Sequence, residues 1–186
     1  GLGLALPHAL DAPGAVAQRD ELLEQLGVRV LDVVEVEEDV VAHAQQFLPA
    51  PPLNGLDFGS GPGPALSSLL EGFGFQCANY DIYYAKYDEL LTAGHYDFVT
   101  STEVVEHLSQ PYSVFQCLFS LLKPKATLAI MTKRSTTLAR FKTWHYIQDP
   151  THICFYNEAT FNWVAKQFSM SVSFPAQDVA IFSSAL

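Results

Sequence analysis

Cysteine is scarce in this chain: Cys77, Cys117 and Cys154 are an odd number at wide spacing, with no C-x-x-C pair. That pattern excludes a disulfide framework and predicts free, buried thiols in a reducing compartment, with the cytoplasm as the default. No sequence neighbour of any of the three supplies the positive charge that would stabilise a thiolate. Long apolar runs are missing too; polar residues interrupt every stretch before the roughly 18 residues that a membrane-spanning helix needs. Residues 1–10, GLGLALPHAL, lack the basic start of a secretory signal, so a soluble protein is expected. Basic residues are few, ten Lys and Arg against 20 Asp and Glu, for a net charge of −10. An acidic chain does not attract nucleic acid in bulk, because neutralising phosphate needs clustered Lys and Arg. What is plentiful is core material: 49% of the 186 residues are hydrophobic, with 13 Phe and 8 Tyr. That suits one large domain rather than two small ones and excludes a disordered chain.

The charge is unevenly placed. Residues 1–57 hold ten of the acids and only two bases, Arg19 and Arg29. Within this part Ala15–Leu26 has helical spacing, Val28–Val36 reads as a strand, and Glu37–Leu48 reads as a helix ended by Pro49, Pro51 and Pro52. Residues 1–52 are therefore expected to form an acidic segment that either caps the main domain or decorates it, followed by a domain over 53–186. The one basic cluster, Lys133, Arg134, Arg140 and Lys142, reads as a solvated loop, with an anion site as the alternative.

From Leu53 onward strands and helices alternate. Leu56–Phe58, Phe75–Tyr80, Tyr96–Ser101 and Thr127–Thr132 read as strands. Ala65–Leu70, a stretch from about Glu103, Ser113–Leu122 and Thr160–Phe168 read as helices. Met170–Phe174 and Val179–Phe182 are further strand candidates. This alternation argues for an α/β fold around a mostly parallel, twisted sheet.

The strongest chemical signal is the turn Gly59-Ser60-Gly61-Pro62-Gly63 between the first strand and the first helix. Alternate glycines remove the Cβ atoms that would keep a ligand from the backbone, and the helix N-terminus behind them offers free N–H groups. Asp81, 18 residues beyond Gly63 at the end of the next strand, can accept both hydroxyl hydrogens of a ribose. A glycine-rich turn can also serve packing alone; the strand, the helix and the spaced acid together favour a ligand. The spacing is not the Gly-x-Gly-x-x-Gly of a dinucleotide site, which speaks against an NAD-dependent oxidoreductase.

LDFGSGPG resembles the first motif of class I S-adenosylmethionine-dependent methyltransferases. YDFVTSTEVVEHL resembles their fourth-strand segment, LLKPKATLAIMT the turn into their fifth strand, and WHYIQDPTHICFYNEATFNWVAKQF the stretch after it in small bacterial members. The resemblance spans Leu53 to Phe182 and implies a Rossmann-like, three-layer fold and a methyltransferase using S-adenosylmethionine. It further implies that Gly59, Gly61 and Gly63 border the methionine half of that cofactor, that Asp57 supports their loop, and that Asp81 holds the ribose. Phe58, Ser60, Ile82, Ser101, Thr102 and Glu103 would line the rest of the cofactor site. The chain departs from the family in three places. Pro124-Lys125-Ala126 stands where Pro-Gly-Gly is common. Only 15 residues separate Asp81 from Asp97, so the third-strand region must be abbreviated, with Asp88 and Glu89 the nearest acids for an adenine contact. The first 50 residues match no family pattern.

Glu103, Glu106 and His107 stand at i, i+3 and i+4, which on a helix would share one face. Two carboxylates and an imidazole suit a divalent cation. The E-x-x-E-H order also resembles quinone-biosynthesis O-methyltransferases and small-RNA 2′-O-methyltransferases. The latter add a later histidine, to which His152 corresponds. A metal would lower the pKa of a substrate hydroxyl or hold two adjacent oxygens. Equally, such a pair can be a solvated helix face or a pocket wall, and His107 or His145 could then serve as general base. Trp144, His145, Tyr146, His152, Phe155 and Tyr156 form an aromatic, histidine-rich stretch that reads either as core or as a substrate pocket, with Phe161 and Trp163 assigned to the core. The expected function is methyl transfer to an O, N or C nucleophile of a small-molecule acceptor; a domain that has kept the fold and lost turnover is the alternative.

Overall fold

The computed structural model describes residues 48–63 and 65–184. The expected elements at Ala15–Leu26, Val28–Val36 and Glu37–Leu48 lie outside them, except Leu48, which sits in a bend. Six strands form one sheet: β1 (Asn54–Phe58), β2 (Gln76–Tyr80), β3 (Tyr96–Thr102), β4 (Leu122–Met131), β5 (Met170–Ser173) and β6 (Val179–Ser184). Their order is β2-β1-β3-β4-β6-β5. The first four run parallel, and β6 is antiparallel to both β4 and β5.

Strand periodicity decides which residues face which layer. Leu56, Val99, Leu128, Ile130 and Phe182 share one core with α2 (Pro111–Leu121) and α4 (Glu158–Gln167), through Phe115, Leu118, Phe161 and Val164, the short α3 (Leu138–Lys142) lying between them in the chain. Phe98, Ala129, Met131 and Ile181 share the opposite core with Leu66 and Leu70 of α1 (Ala65–Gly72). Helices thus cover both faces, giving the expected three layers. Gly55 is required by this packing, because a Cβ there would run into the Phe98 ring. Leu48 and Leu53 pack against the α1-side core, which ties the entry segment to the domain.

The shortened crossover after β2 is present. Between Tyr80 and Tyr96 the chain makes one 3₁₀ turn, Asp88–Leu90, and an isolated bridge from Asp81 to Ala85, so β2 is an edge strand. The turn before the core of β4 is a jog inside the strand. Tyr96 pairs with Leu122 and Phe98 with Thr127, so β3 advances two residues while β4 advances five. Lys125 sits in that jog at φ 67°, the left-handed region that glycine occupies without steric cost.

Other expectations need correction. No helix starts at Glu103: that residue has φ 52°, Val105–His107 is a 3₁₀ turn, and α2 begins at Pro111. Proline lacks the N–H and clashes with the carbonyl four residues back, so it starts a helix and cannot extend one arriving from upstream. Arg134 is not in a solvated loop. It is buried, and its guanidinium donates to the Val179 and Ala176 carbonyls at 2.7 Å each while lying over the Phe174 ring. Trp163, assigned to the core, is half-exposed on α4, whereas Phe161 is fully buried. The three thiols are free, but only Cys77 is fully buried.

Candidate functional site

The carboxyl ends of β1, β2 and β3 bring the glycine turn, Asp81 and the acid–histidine segment together, the place where open α/β sheets bind ligands. Gly59 and Gly61 have φ of 87° and 65°. A Cβ on Gly59 would strike Val104, whereas a Cβ on Gly61 would meet nothing within 4 Å. Gly59 and Ser60 both donate N–H to the Tyr80 carbonyl, at 2.7 and 3.2 Å, which fastens the turn to the end of β2.

Asp81 is buried and tied to backbone on two sides. Its Oδ2 accepts from the Gly61 N–H at 3.0 Å, and its Oδ1 accepts from Tyr83 and Tyr84 at 2.8 and 3.0 Å. Ile82 beside it is exposed, and Phe58 stacks on Tyr80 with centroids 5.3 Å apart. Asp57 points into the interior, where its Oδ1 accepts from the Thr100 hydroxyl at 3.0 Å. Burial pushes its carboxyl up to about 7; the Thr100 hydrogen bond opposes this and the Asp81 charge adds to it.

Behind β3 the acids and histidines take separate places. Glu106 is fully buried and Glu103 partly so, and the Tyr146 hydroxyl reaches both, 2.5 Å from Glu106 Oε1 and 3.1 Å from Glu103 Oε2. Thr132 Oγ1 lies 3.3 Å from the same hydroxyl. Burial pushes the Glu103 carboxyl above its ordinary range, reinforced by the charge of Glu106 and a hydrogen bond with it. The Lys133 charge and the Tyr146 hydroxyl pull the other way. Burial and the bond to Glu106 likewise push the Tyr146 phenol far up.

One ligand atom each from Glu106, His107 and His152 lies within 4.8 Å of the others. His107 Nδ1 is 3.0 Å from the Thr151 carbonyl and His152 Nδ1 is 2.8 Å from the Tyr146 carbonyl. A carbonyl only accepts, so each Nδ1 carries the hydrogen and each Nε2 of a neutral ring keeps its lone pair. Glu106 Oε2 is buried without a partner. Ser60 Oγ, Asn79 Oδ1, Ser101 Oγ and Thr102 Oγ1, all at or just beyond the ends of the first three strands, share that condition. Each such group costs about 1–3 kcal/mol until something bonds it.

Three of the four expected metal ligands therefore converge, and Glu103 stands outside that set, bonded to Tyr146. His145 is exposed; its neighbour Tyr146 is the residue that enters the site. Asp88 and Glu89 lie on the exposed 3₁₀ turn, with Asp88 accepting from the Tyr80 hydroxyl at 3.4 Å. Reading the sequence placed Tyr146 only within an aromatic stretch. The missed signal is that a buried tyrosine hydroxyl must find a partner, and two carboxylates on a nearby turn supply it.

The methyltransferase-domain family matches residues 34–171, and the chain belongs to it. Solved structures of similar fold include an S-adenosylmethionine-dependent methyltransferase from Archaeoglobus fulgidus, with a TM-score of 0.62 at 19% identity over 85% of this chain and 76% of the other. A second is the Burkholderia thailandensis 1,6-didemethyltoxoflavin-N1-methyltransferase with bound 1,6-didemethyltoxoflavin and S-adenosylhomocysteine, with a TM-score of 0.61 at 13% identity over 100% and 93% of the two chains. A third, from Aquifex aeolicus, is described as an S-adenosylmethionine-dependent methyltransferase and has a TM-score of 0.54 at 18% identity over 77% and 87%. No curated protein matches the chain in sequence. The fold is that of the class I S-adenosylmethionine-dependent methyltransferases.

Proposed function

We propose that this chain catalyses methyl transfer from S-adenosylmethionine to a small-molecule acceptor held against Glu106, His107 and His152. The observation that carries this reading is the convergence of two half-sites on the same strand ends: the glycine turn with Asp81, and a carboxylate–imidazole set whose Nδ1 atoms face carbonyls, so that Nε2 faces the acceptor, that of His152 also 3.8 Å from Asp149 Oδ2. The Burkholderia structure, which has 1,6-didemethyltoxoflavin and S-adenosylhomocysteine bound, fits the same class of acceptor. The net charge of −10 disfavours nucleic acid, and the free thiols suit a reducing compartment.

S-Adenosylmethionine supplies a methyl group already activated by its sulfonium. The chain's own task is to align the acceptor atom in line behind that carbon and to exclude water. Asp81 and the backbone of Gly59–Gly63 would hold the ribose and the methionine half. Ser60, Ser101 and Thr102 would give their unpartnered hydroxyls to the rest of the cofactor. His107 or His152 would take the acceptor's proton at Nε2 as its lone pair attacks. Glu106 would orient the acceptor, and Tyr146 would hold the two carboxyl groups in place.

The same donors fit a divalent cation. One buried carboxylate oxygen without a partner and two imidazoles locked through Nδ1 make a recognised ligand set. Glu106, His107 and His152 would hold it, and it would polarise an acceptor oxygen as a Lewis acid. Calorimetric titration with S-adenosylmethionine and NAD in parallel tests the cofactor assignment: saturable heat is expected from the first alone.

A further inference from the structure

We infer that the acceptor is amphipathic and that its apolar body occupies the groove between α2 and α4, a subsite beside the acid–histidine set; this rests on the function proposed above. The groove encloses about 350 Å³ and is walled chiefly by Tyr112, Phe115, Cys154, Phe155, Tyr156 and Trp163. That volume falls at the lower end of the range for small-molecule sites.

The groove's chemistry selects its occupant. Its inner polar atoms already have partners: the Tyr156 hydroxyl donates to the Val105 carbonyl and the Cys154 thiol to the Leu108 carbonyl, both at 3.2 Å. The Thr160 hydroxyl donates to Asn157 Oδ1 at 3.0 Å. The hydrogens of these inner groups are already committed, so a polar group at the inner end of the groove would lose water with few donors to replace it, and apolar matter gains most from burial there. Tyr112 and Trp163, 54% and 53% exposed, hold large rings in water against this groove, and an apolar ligand would cover them. Among the described residues, no charged residue lines it. A stable protein interface buries roughly 1,200 Å² or more, which a cleft of this size does not offer, so a small molecule fits better than a protein partner.

Position links the groove to the chemistry. Residues 152–156 run between the two: Ile153 and Cys154 both donate N–H to the Glu106 carbonyl at 2.9 Å. On one side His152 joins the acid–histidine set, and on the other Cys154 and Tyr156 line the groove. Phe155 belongs to both. Its ring lies 6.3 Å from Trp144 and 6.4 Å from Tyr146, the residue bonded to both glutamates, and it also lines the groove. An acceptor with its nucleophile at His152 and Glu106 would extend its apolar part past Phe155 toward the groove.

The chain has two tryptophans, one on each side of this strip, which gives a direct test. Trp144→Phe leaves Trp163 to report the groove, and Trp163→Phe leaves Trp144 to report the site. Both variants are titrated with 1-hexanol, 1-octanol and 1-decanol while emission is followed. The expected result is a saturable blue shift of Trp163 that tightens about fourfold per added methylene. Trp144 is expected to shift in the companion variant, and Tyr112→Glu in the Trp144→Phe background to weaken 1-decanol binding at least tenfold. A shift without saturation or without chain-length dependence overturns the subsite. A Trp163 response with Trp144 unmoved makes the groove a separate pocket and overturns the acceptor assignment. Calorimetry with S-adenosylmethionine on the same samples separates the failures: cofactor heat without alcohol binding removes the subsite alone, and no cofactor heat removes the methyltransferase function beneath it.

Discussion

Asp57→Asn isolates the cost of burying an acid under the cofactor turn. In the folded chain its carboxyl is raised from 3.8 to about 7, chiefly by burial. Unfolded, it loses its proton near 3.8, so between the two values the unfolded state binds fewer protons than the native state. Stability must then fall as pH rises through that window and level off above about 7, at roughly 1.4 kcal/mol per pH unit. Between pH 5 and pH 7.5 the term removes about 2–3 kcal/mol. Asparagine keeps the shape and can still accept from the Thr100 hydroxyl through its Oδ1, but it does not titrate. Urea unfolding of both proteins at half-unit steps should show the variant gaining about 2–3 kcal/mol on the parent across that range. The raised Glu103 titrates in both proteins and cancels in the difference. A constant difference across the range, or one that shrinks as pH rises, would refute the burial argument.

Gly61→Val should abolish S-adenosylmethionine binding by calorimetry, because the space at its Cβ is open to the ligand and a branched side chain would fill it; at φ 65° the substitution should also cost about 1–2 kcal/mol in urea unfolding while the domain still folds. Lys125→Gly should stabilise the fold by about 0.5–1 kcal/mol in urea, since it relieves a left-handed residue on an exposed jog. Tyr146→Phe should cost about 1.5–3 kcal/mol of stability in the same assay, the worth of a hydrogen bond to a charged carboxylate. Added Mg²⁺ or Mn²⁺ should raise Tm, and Glu106→Ala should remove that increment; an equal increment in both proteins would place the ion elsewhere. Asp81→Ala should weaken S-adenosylmethionine by about 1.5–3 kcal/mol, and unchanged affinity would move the ribose contact to another residue.

The alternating sheet, the turn at Gly59–Gly63 and the shortened crossover were all legible in the sequence. Each depends on local signals, namely β-branched and aromatic runs, glycine spacing, and a gap of 15 residues too short for a helix and a strand. The acid–histidine site was legible in composition but not in geometry. Glu103, Glu106 and His107 would share a face only on a helix, and Pro111 together with the left-handed Glu103 rules the helix out. The turn that replaces it buries Glu106, exposes His107, and turns Glu103 toward Tyr146. The partner of that turn lies some forty residues away, and pairings at such distance follow from the packing of β4 and the segment after it. No periodicity records them. Arg134 shows the same limit: a charge in a basic run reads as solvated until its acceptors, the carbonyls of Ala176 and Val179, are brought beside it by β6.

Under the proposed ribose contact, Asp81 would serve fold and function with one side chain. An ionised carboxylate offers about four lone-pair sites, and three here already accept backbone N–H groups from Gly61, Tyr83 and Tyr84. Two ribose hydroxyls need two sites, so one backbone bond must give way when a ribose is held through both. The bonds to Tyr83 and Tyr84 close a tight turn directly after Asp81, and breaking one would undo the short crossover that ends β2. The bond to Gly61 reaches across 20 residues to a loop with nothing within 4 Å of the position where its Cβ would lie. Gly61 is therefore the partner that can leave at least cost. On the proposed ribose contact, a glycine at this position would do more than admit a ligand to the backbone. It would let the loop hold Asp81 before the ligand arrives and release it afterwards, since a residue with no side chain obstructs neither conformation.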